Sequence, residues 1–303
     1  MDNPFNGLCN QFDDRVQLLK LCLTICTLVM NDLILIPHHA LRPYIQHYVY
    51  CEMGEAGKWS HTDMAPPGCT SLSITAEGKN VYISENNNPA LRYDSITFVG
   101  QTKRLKKLSL YDRLKTFFVI FQPCGAYQLL GIKQDECSGY CLNFTDLLGS
   151  SVRLFEEEIA EQTSPYGIQK IVERFFLKRI KHKKIPEESK HLACVVNKIR
   201  KNSQPGLLIK NICHQEGYSI SRLERHMKRI VGLSPKQYQR IMRFNTTLRY
   251  INRNPLNRNW SAIACRFGYY DQTHFINEFK RFYGKTPAGY TEEDHFLSSI
   301  AYI

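Results

Sequence analysis

The spacing of apolar residues changes along the chain, and the change predicts two kinds of structure. From residue 33 to about 143, short runs rich in β-branched and aromatic residues alternate with turn signals such as Pro-Pro-Gly at 66–68. Runs of this kind predict a β-rich domain of the sandwich or jelly-roll type. From 144 to about 182 the apolar residues recur at helical spacing, which predicts helices packed on the sheet or against a second subunit. We therefore expect an α+β fold, because the pattern after residue 190 is helical throughout.

These changes divide the chain into five predicted segments. They are an N-terminal extension (1–30), a β-rich domain with trailing helices (31–182), a charged linker (183–190), an all-α domain (191–292) and a C-terminal tail (293–303). The apolar stretch 16–30 is shorter than the ~20 residues of a bilayer-spanning helix, and Lys20 interrupts it. No small-residue cleavage site follows it. We interpret 1–29 as a poorly packed extension or an over-long gene model with Met30 as the ordinary start, and we expect no membrane partner.

The all-α domain contains an internal repeat. Gly217 and Tyr218 match Gly268 and Tyr269 at an offset of 51, and beyond this turn the offset becomes 52. The pairs beyond the turn are Ser219/Asp271, Leu223/Phe275, Met227/Phe279, Lys228/Lys280, Arg229/Arg281, Gly232/Gly284 and Pro235/Pro287. Each copy reads as a helix, a glycine-containing turn, a capped helix and a glycine stop, which is the organisation of a helix-turn-helix. One long helix over 235–254 is predicted to join the copies.

Local signals fix the ends of the second helix of each copy. In the stretch "FGYYDQTHFINEFKRFYGKTP", Asp271 is predicted to cap the helix at its start and Gly284 to end it in the left-handed conformation. Thr286 and Pro287 then predict the start of another helix. The aromatic residues recur every four positions and share one face that seeks a core: Phe275, Phe279 and Tyr283.

The distribution of charge indicates a partner for the helical domain. The chain has a formal net charge of +12, and residues 198–290 alone contain 18 Lys and Arg against 4 Asp and Glu. Local positive charge of this kind is typical of a polyanion partner, usually nucleic acid, and helix N-termini can hold phosphates. We therefore predict binding of double-stranded DNA. The alternative is two amphipathic hairpins that pack together and expose a solvated basic face.

Two helix-turn-helix units joined by a helix, the second ending "FGYYDQTHFINEFKRFYGKTPAGY", resemble the AraC/XylS family of bacterial transcription regulators over about residues 190–292. Upstream stretches such as "LRPYIQHYVY" and "FFVIFQPCGAYQLLG" resemble an N-terminal module of some members more weakly. Met227 stands where the family usually has Phe, and Asn277 where it often has Arg. The resemblance implies a cytoplasmic, sequence-specific regulator whose N-terminal domain binds a small-molecule effector, dimerises, or both, with RNA polymerase as a further partner. It also implies that Arg243 braces the two halves of the domain rather than reading sequence.

The outward faces of the two recognition helices supply the predicted DNA contacts. Arginine can make a bidentate contact with guanine, while glutamine and asparagine suit adenine. The predicted base contacts are Ser221, Arg222, Arg225, Gln272, Thr273 and Asn277. The predicted backbone contacts are Lys228, Arg229, Lys280 and Arg281. The alternative for each arginine is a contact with phosphate alone.

The sequence carries no common signature of an enzyme or of a metal protein. The eleven cysteines are scattered singly, with no Cys-x-x-Cys, which favours reduced thiols over a disulfide framework or a metal site. The sequence has no P-loop, GxGxxG, HExxH or nucleophile elbow, so no catalytic residue and no cofactor are predicted. The alternative of a different class is a cytoplasmic cupin-like enzyme with a DNA-targeting domain. Its metal would need clustered histidines, and His38, His39, His47 and His61 lack that arrangement.

Overall fold

The computed structural model describes residues 29–78, 81–84, 91–92, 95–182, 184–201, 209–256 and 258–290. The predicted tail and almost all of the predicted extension lie outside this range. Residues 29 and 30, which we assigned to the extension, begin the first strand. Among the described residues, no helix is long and apolar enough to cross a membrane.

The described part of residues 29–143 contains ten strands in two antiparallel sheets, which confirms the prediction of a β-rich domain. The larger sheet has the order β1-β2-β9-β4-β7-β10 and the smaller has the order β3-β8-β5-β6. Strands β1 to β10 are Val29–Leu35, Ile45–Met53, Trp59–Met64, Ser71–Glu77, Val81–Ser84, Leu91–Arg92, Ile96–Val99, Lys106–Tyr111, Leu114–Phe121 and Cys141–Asn143.

The sequence of strand β9, "LKTFFVIF", is apolar almost throughout because the strand is buried on both faces. Phe117, Val119 and Phe121 belong to one core cluster, which the larger sheet forms with the helices that follow it. Leu114 and Ile120 belong to a second cluster, which includes residues of both sheets. Because neighbouring side chains of a strand point to opposite faces, a strand buried on both faces has few polar positions.

Five α-helices and two short 3-10 helices, His39–Leu41 and Gly149–Val152, complete the described residues of this part of the chain, which we call the β domain (residues 29–182). The α-helices are α1 (Gly125–Leu130), α2 (Gln134–Cys137), α3 (Phe144–Leu148), α4 (Arg153–Ala160) and α5 (Pro165–His182). The ring of Phe176 on α5 meets that of Phe121 on β9 edge-on, with centroids 5.8 Å apart. The helices that we predicted after residue 144 therefore pack on the larger sheet.

Six α-helices lie in the described residues of the helical domain (residues 187–290), as predicted for the all-α part. They are α6 (Glu187–Lys201), α7 (Ile209–Gln215), α8 (Ile220–Val231), α9 (Pro235–Arg253), α10 (Trp260–Arg266) and α11 (Gln272–Tyr283). Helix α9 is the predicted long connection. Residues 187–190 of the predicted linker form the first turn of α6, where Glu187 and Glu188 lie favourably at the positive end of the helix dipole.

The two copies of the repeat fold in the same way. The backbone N–H of Tyr218 donates to the carbonyl of Cys213 at 2.9 Å, and that of Tyr269 donates to Ala264 at 3.0 Å. Gly217 and Gly268 have φ of 65° and 70°, which is the left-handed region that glycine adopts most easily. Four residues separate α7 from α8 and five separate α10 from α11, so the second turn has the extra residue that the change of offset predicts.

The predicted caps are present with one difference. The side chains of Ser219 and Asp271 accept from the backbone N–H groups of Arg222 and His274, and Gly232 and Gly284 end α8 and α11 in the left-handed conformation. The predicted helix after Thr286 is a 3-10 helix of three residues, Pro287–Gly289. The inward residues that the pattern assigned to the core are buried: Leu223, Met227, Val231, Phe275, Phe279 and Tyr283.

Candidate nucleic-acid interface

The outward faces of α8 and α11 are exposed to solvent. All ten residues for which we predict DNA contacts are exposed: Ser221, Arg222, Arg225, Lys228, Arg229, Gln272, Thr273, Asn277, Lys280 and Arg281. Their exposure follows from the helical period, since the opposite faces are buried in one shared core. The assignment of each residue to a base or to a phosphate stays a prediction.

Arg222 has partners within the protein that sequence reasoning missed. Its Nη2 lies 3.5 Å from Glu188 Oε1 on α6, and its guanidinium lies 5.3 Å from the centre of the Tyr218 ring. The Arg222 side chain keeps 51% of its surface exposed. It must give up part of the Glu188 contact if it turns toward a base, whereas no such contact restrains Arg225 in the described structure.

The last turn of α8 lies against the β domain. The guanidinium of Arg229 lies 6.0 Å from the centre of the Tyr127 ring on α1, and helix α2 packs against α8. A Cβ atom added to Gly232 would lie 3.0 Å from the carbonyl oxygen of Gln134. The exposed carboxylates of Asp135 and Glu136 are in the first turn of α2. The predicted phosphate contact Arg229 therefore sits at the boundary between the two domains.

Other contacts extend this boundary. Asn245 on α9 donates from Nδ2 to the carbonyl of Pro66 at 3.2 Å, and Gln128 on α1 donates to the carbonyl of Ser189 at 3.1 Å. Ala65 and Cys124 of the β domain are buried in the same cluster as the helical domain. The two domains thus share part of one core.

A buried carboxylate organises the second helix-turn-helix unit. Glu278 on α11 has 1% of its side chain exposed, and it accepts from Arg240 Nε at 3.1 Å and from Arg243 Nη2 at 3.0 Å. Arg243 also donates to the carbonyl of Gly268 at 3.0 Å and lies 4.2 Å from the centre of the Tyr269 ring. The arginine joins the long helix α9 to both the turn and the recognition helix of the second unit. That it braces the two halves of the domain, as the resemblance implied, stays a prediction. Sequence reasoning assigned no role to Glu278.

The first unit has a different residue at this place. By the offset of 52, His226 is the counterpart of Glu278, and its Nε2 lies 2.8 Å from Glu188 Oε1. Burial lowers the pKa of His226, and the nearby Arg222, Arg225 and Arg229 act in the same direction, while Glu188 opposes the shift. Helix α8 is therefore held to α6 by a contact near the surface, whereas α11 is held to α9 by a buried one.

No group of three or more His, Cys, Asp or Glu in the described part of the chain could hold a metal ion. The centres of the His38 and His39 rings lie 4.1 Å apart. His61 does not join them, since its ring stacks on Trp59 of the smaller sheet. Burial raises the pKa of the Cys69 and Cys124 thiols to about 12, which keeps both protonated and unreactive at neutral pH.

Two family models match the chain. Residues 212–293 match a helix-turn-helix domain, and residues 34–143 match a domain of unknown function, DUF6597. The first match covers both recognition helices and the helix between them, and it is of the AraC type. Among curated proteins the chain has no match.

Solved structures show a distant likeness. ToxT from Vibrio cholerae in its P21 form is 11% identical with a TM-score of 0.44, over 80% of this chain and 96% of that one. Wild-type ToxT with a bound unsaturated fatty acid is 11% identical with a TM-score of 0.44, over 79% of this chain and 93% of that one. The AraC-like transcriptional activator CuxR is 11% identical with a TM-score of 0.28, over 75% of this chain and 80% of that one.

Proposed function

We propose that the protein is a sequence-specific regulator of transcription that reads double-stranded DNA with both units. Residues 212–293 match a helix-turn-helix domain of the AraC type. The observation that carries the proposal is the repetition of one geometry on a basic segment. Both units have the same turn hydrogen bond, a capped recognition helix and an exposed polar face. Residues 198–290 carry 18 basic against 4 acidic side chains.

The proposed complex places α8 and α11 in successive segments of the major groove on one side of the duplex. Their centres would be about 34 Å apart along the DNA, which is one helical turn. In this arrangement Arg225 contacts guanine, and Gln272 and Asn277 contact adenine, because these are the pairings that their donors and acceptors favour. Lys280 and Arg281 follow in the last half of α11, where they would neutralise phosphates.

The test is a selection by the full chain from a random duplex library, followed by titration of the selected sequence at several salt concentrations. We expect a motif with two conserved blocks about one helical turn apart. If Lys228, Arg229, Lys280 and Arg281 each neutralise one phosphate, log K falls against log salt with a slope of about −3.6 from these four alone. Binding without sequence preference at every salt concentration would contradict the proposal.

For the β domain we propose an effector or dimerisation role, which acts on DNA binding through α1 and α2. The support is the direct packing of α2 on α8 and the position of Arg229 over Tyr127. A change in the β domain that moves α2 would move the end of the first recognition helix. Sedimentation of the full chain, with and without the selected DNA, tests whether two chains associate through the β domain. RNA polymerase stays a predicted partner.

A further inference from the structure

Two large apolar side chains are exposed where the recognition helices begin. Ile220, the first residue of α8, keeps 55% of its surface exposed, and Tyr270, two residues before α11, keeps 92%. The helical domain has a third such residue, Leu256, which is 97% exposed in the segment between α9 and α10. Single exposed apolar residues are common on protein surfaces, so exposure alone means little. The position of Ile220 and Tyr270 is what distinguishes them.

The caps of the recognition helices fix these two positions. Tyr218 and Tyr269 are buried and anchor the turns, while Ser219 and Asp271 use their side chains to cap. Ile220 follows its cap directly and Tyr270 precedes its cap, and neither position leads into the core. The backbone N–H of Tyr270 also donates to His274 Nδ1 at 3.3 Å. Each apolar side chain is therefore carried on a backbone that is already ordered.

The N-terminal residues of a recognition helix are those that meet base edges. The apolar group on the major-groove edge of a base pair is the 5-methyl of thymine, and apolar side chains contact it. Ile220 has no hydrogen-bonding group in its side chain, so a methyl group is the feature of the groove that it suits. The ring of Tyr270 suits the same methyl, and its hydroxyl can donate to a neighbouring acceptor.

We infer that Ile220 and Tyr270 are specificity-determining residues, each of which contacts a thymine methyl, Ile220 in the block read by α8 and Tyr270 in the block read by α11. The inference rests on the proposed DNA-binding function and adds to it two residues that a search for polar contacts omits. It also gives a role to the extra residue of the second turn, because the additional position is what sends a side chain outward between Tyr269 and Asp271.

The test uses deoxyuridine, which differs from thymidine by the loss of that methyl group. The duplex selected by the full wild-type chain is prepared with each thymine replaced in turn, and the affinities of wild type, Ile220→Ala and Tyr270→Ala are measured. For wild type we expect a loss of about fourfold at one thymine in each block, the factor for one buried methyl group. Tyr270→Ala should lose this sensitivity in the α11 block and keep it in the α8 block, and Ile220→Ala should do the opposite.

Three controls make the result decisive. Leu256→Ala removes an apolar side chain that is at least as exposed as Ile220 and Tyr270 but lies outside both recognition helices, and it should retain the wild-type pattern in both blocks. Tyr270→Phe and Ile220→Val keep an apolar surface and should keep the sensitivity. Equal melting temperatures show that the variants are folded. If wild type selects a motif but every variant shows the wild-type deoxyuridine pattern, the inference is wrong and the proposed function stands. If wild type selects no motif, both are wrong.

Discussion

The arginines of α8 differ in their surroundings, and this difference predicts different effects of mutation. All three are exposed, but Arg222 contacts Glu188 and Arg229 lies over Tyr127, whereas no such contact restrains Arg225 in the described structure. Arg225→Ala should cost about 1–3 kcal/mol with the preferred sequence and relax the preference at one or two base pairs. Lys280→Ala, the matched change in a predicted phosphate contact, should weaken all sequences alike and reduce the salt slope by about one. Titration of both variants against single-base variants of the selected duplex distinguishes a loss of sequence preference from a uniform loss of affinity. A uniform loss with Arg225→Ala would make Arg225 a phosphate contact.

Glu278 shows how a single buried charge can determine the stability of the second unit. Glu278→Ala leaves Arg240 and Arg243 beside a cavity without their carboxylate partner. Removal of one partner from a buried ion pair typically costs about 3–5 kcal/mol. We expect a loss of unfolding free energy near this size, measured by urea denaturation of the full chain. Glu224→Ala, on the exposed face of α8, should change it by less than about 0.5 kcal/mol. A similar small loss for both would show that the carboxylate contributes little.

At the scale of the element, the two glycines of the first unit form a matched pair. Gly217 and Gly232 both have positive φ, so alanine at either position costs about 1–2 kcal/mol for the left-handed backbone. A Cβ at Gly217 meets nothing within 4 Å, whereas one at Gly232 lies 3.0 Å from the Gln134 carbonyl of α2. Gly232→Ala should therefore destabilise the chain more than Gly217→Ala does. Chemical denaturation of both variants measures the difference in unfolding free energy. Equal losses would mean that α2 moves away from the added Cβ atom without loss of stability.

The elements themselves were largely predictable from the sequence, because their signals are local. Helical spacing, the caps at Ser219 and Asp271 and the stops at Gly232 and Gly284 all act within a few residues, and the structure confirms them. The packing of α2 on α8 was not predictable. Helix α2 is the four-residue sequence Gln-Asp-Glu-Cys, which has no apolar period, and its contact joins positions that are far apart in the chain.

The same distinction applies to the candidate site. The outward faces of α8 and α11 follow from the helical period alone. The partners of individual side chains do not, since Glu278 is separated from Arg240 by 38 residues and from Arg243 by 35. Arg222 likewise contacts Glu188, which we had placed in a linker. Such pairs depend on how helices pack and leave no repeating pattern in the sequence.

In the whole molecule, the β domain brings negative charge to the end of the first recognition helix. Asp135 and Glu136 are exposed in α2, which packs against α8, and Glu136 contacts Lys133 at 2.8 Å. Lys133 in turn is close enough to Arg229 for the two charges to interact. Lys133 offsets one of the two carboxylates, so the segment keeps a net charge of −1, which would repel phosphates that approach the end of α8.

This arrangement predicts that the acidic residues of α2 weaken DNA binding. The double change Asp135→Asn and Glu136→Gln should raise the affinity of the full chain for its selected duplex about threefold at ~50 mM salt, because charges within about a Debye length interact. At ~500 mM salt the gain should disappear, since the Debye length is then only about 4 Å. The matched control is Glu157→Gln with Glu161→Gln, which changes the net charge equally on α4 and on the residue that caps its end. Phe155 and Ile159 of this helix pack into the core of the β domain. Titration of both double variants at the two salt concentrations decides the matter. An equal gain with the control would mean that net charge alone acts, and that α2 has no particular effect on the first recognition helix.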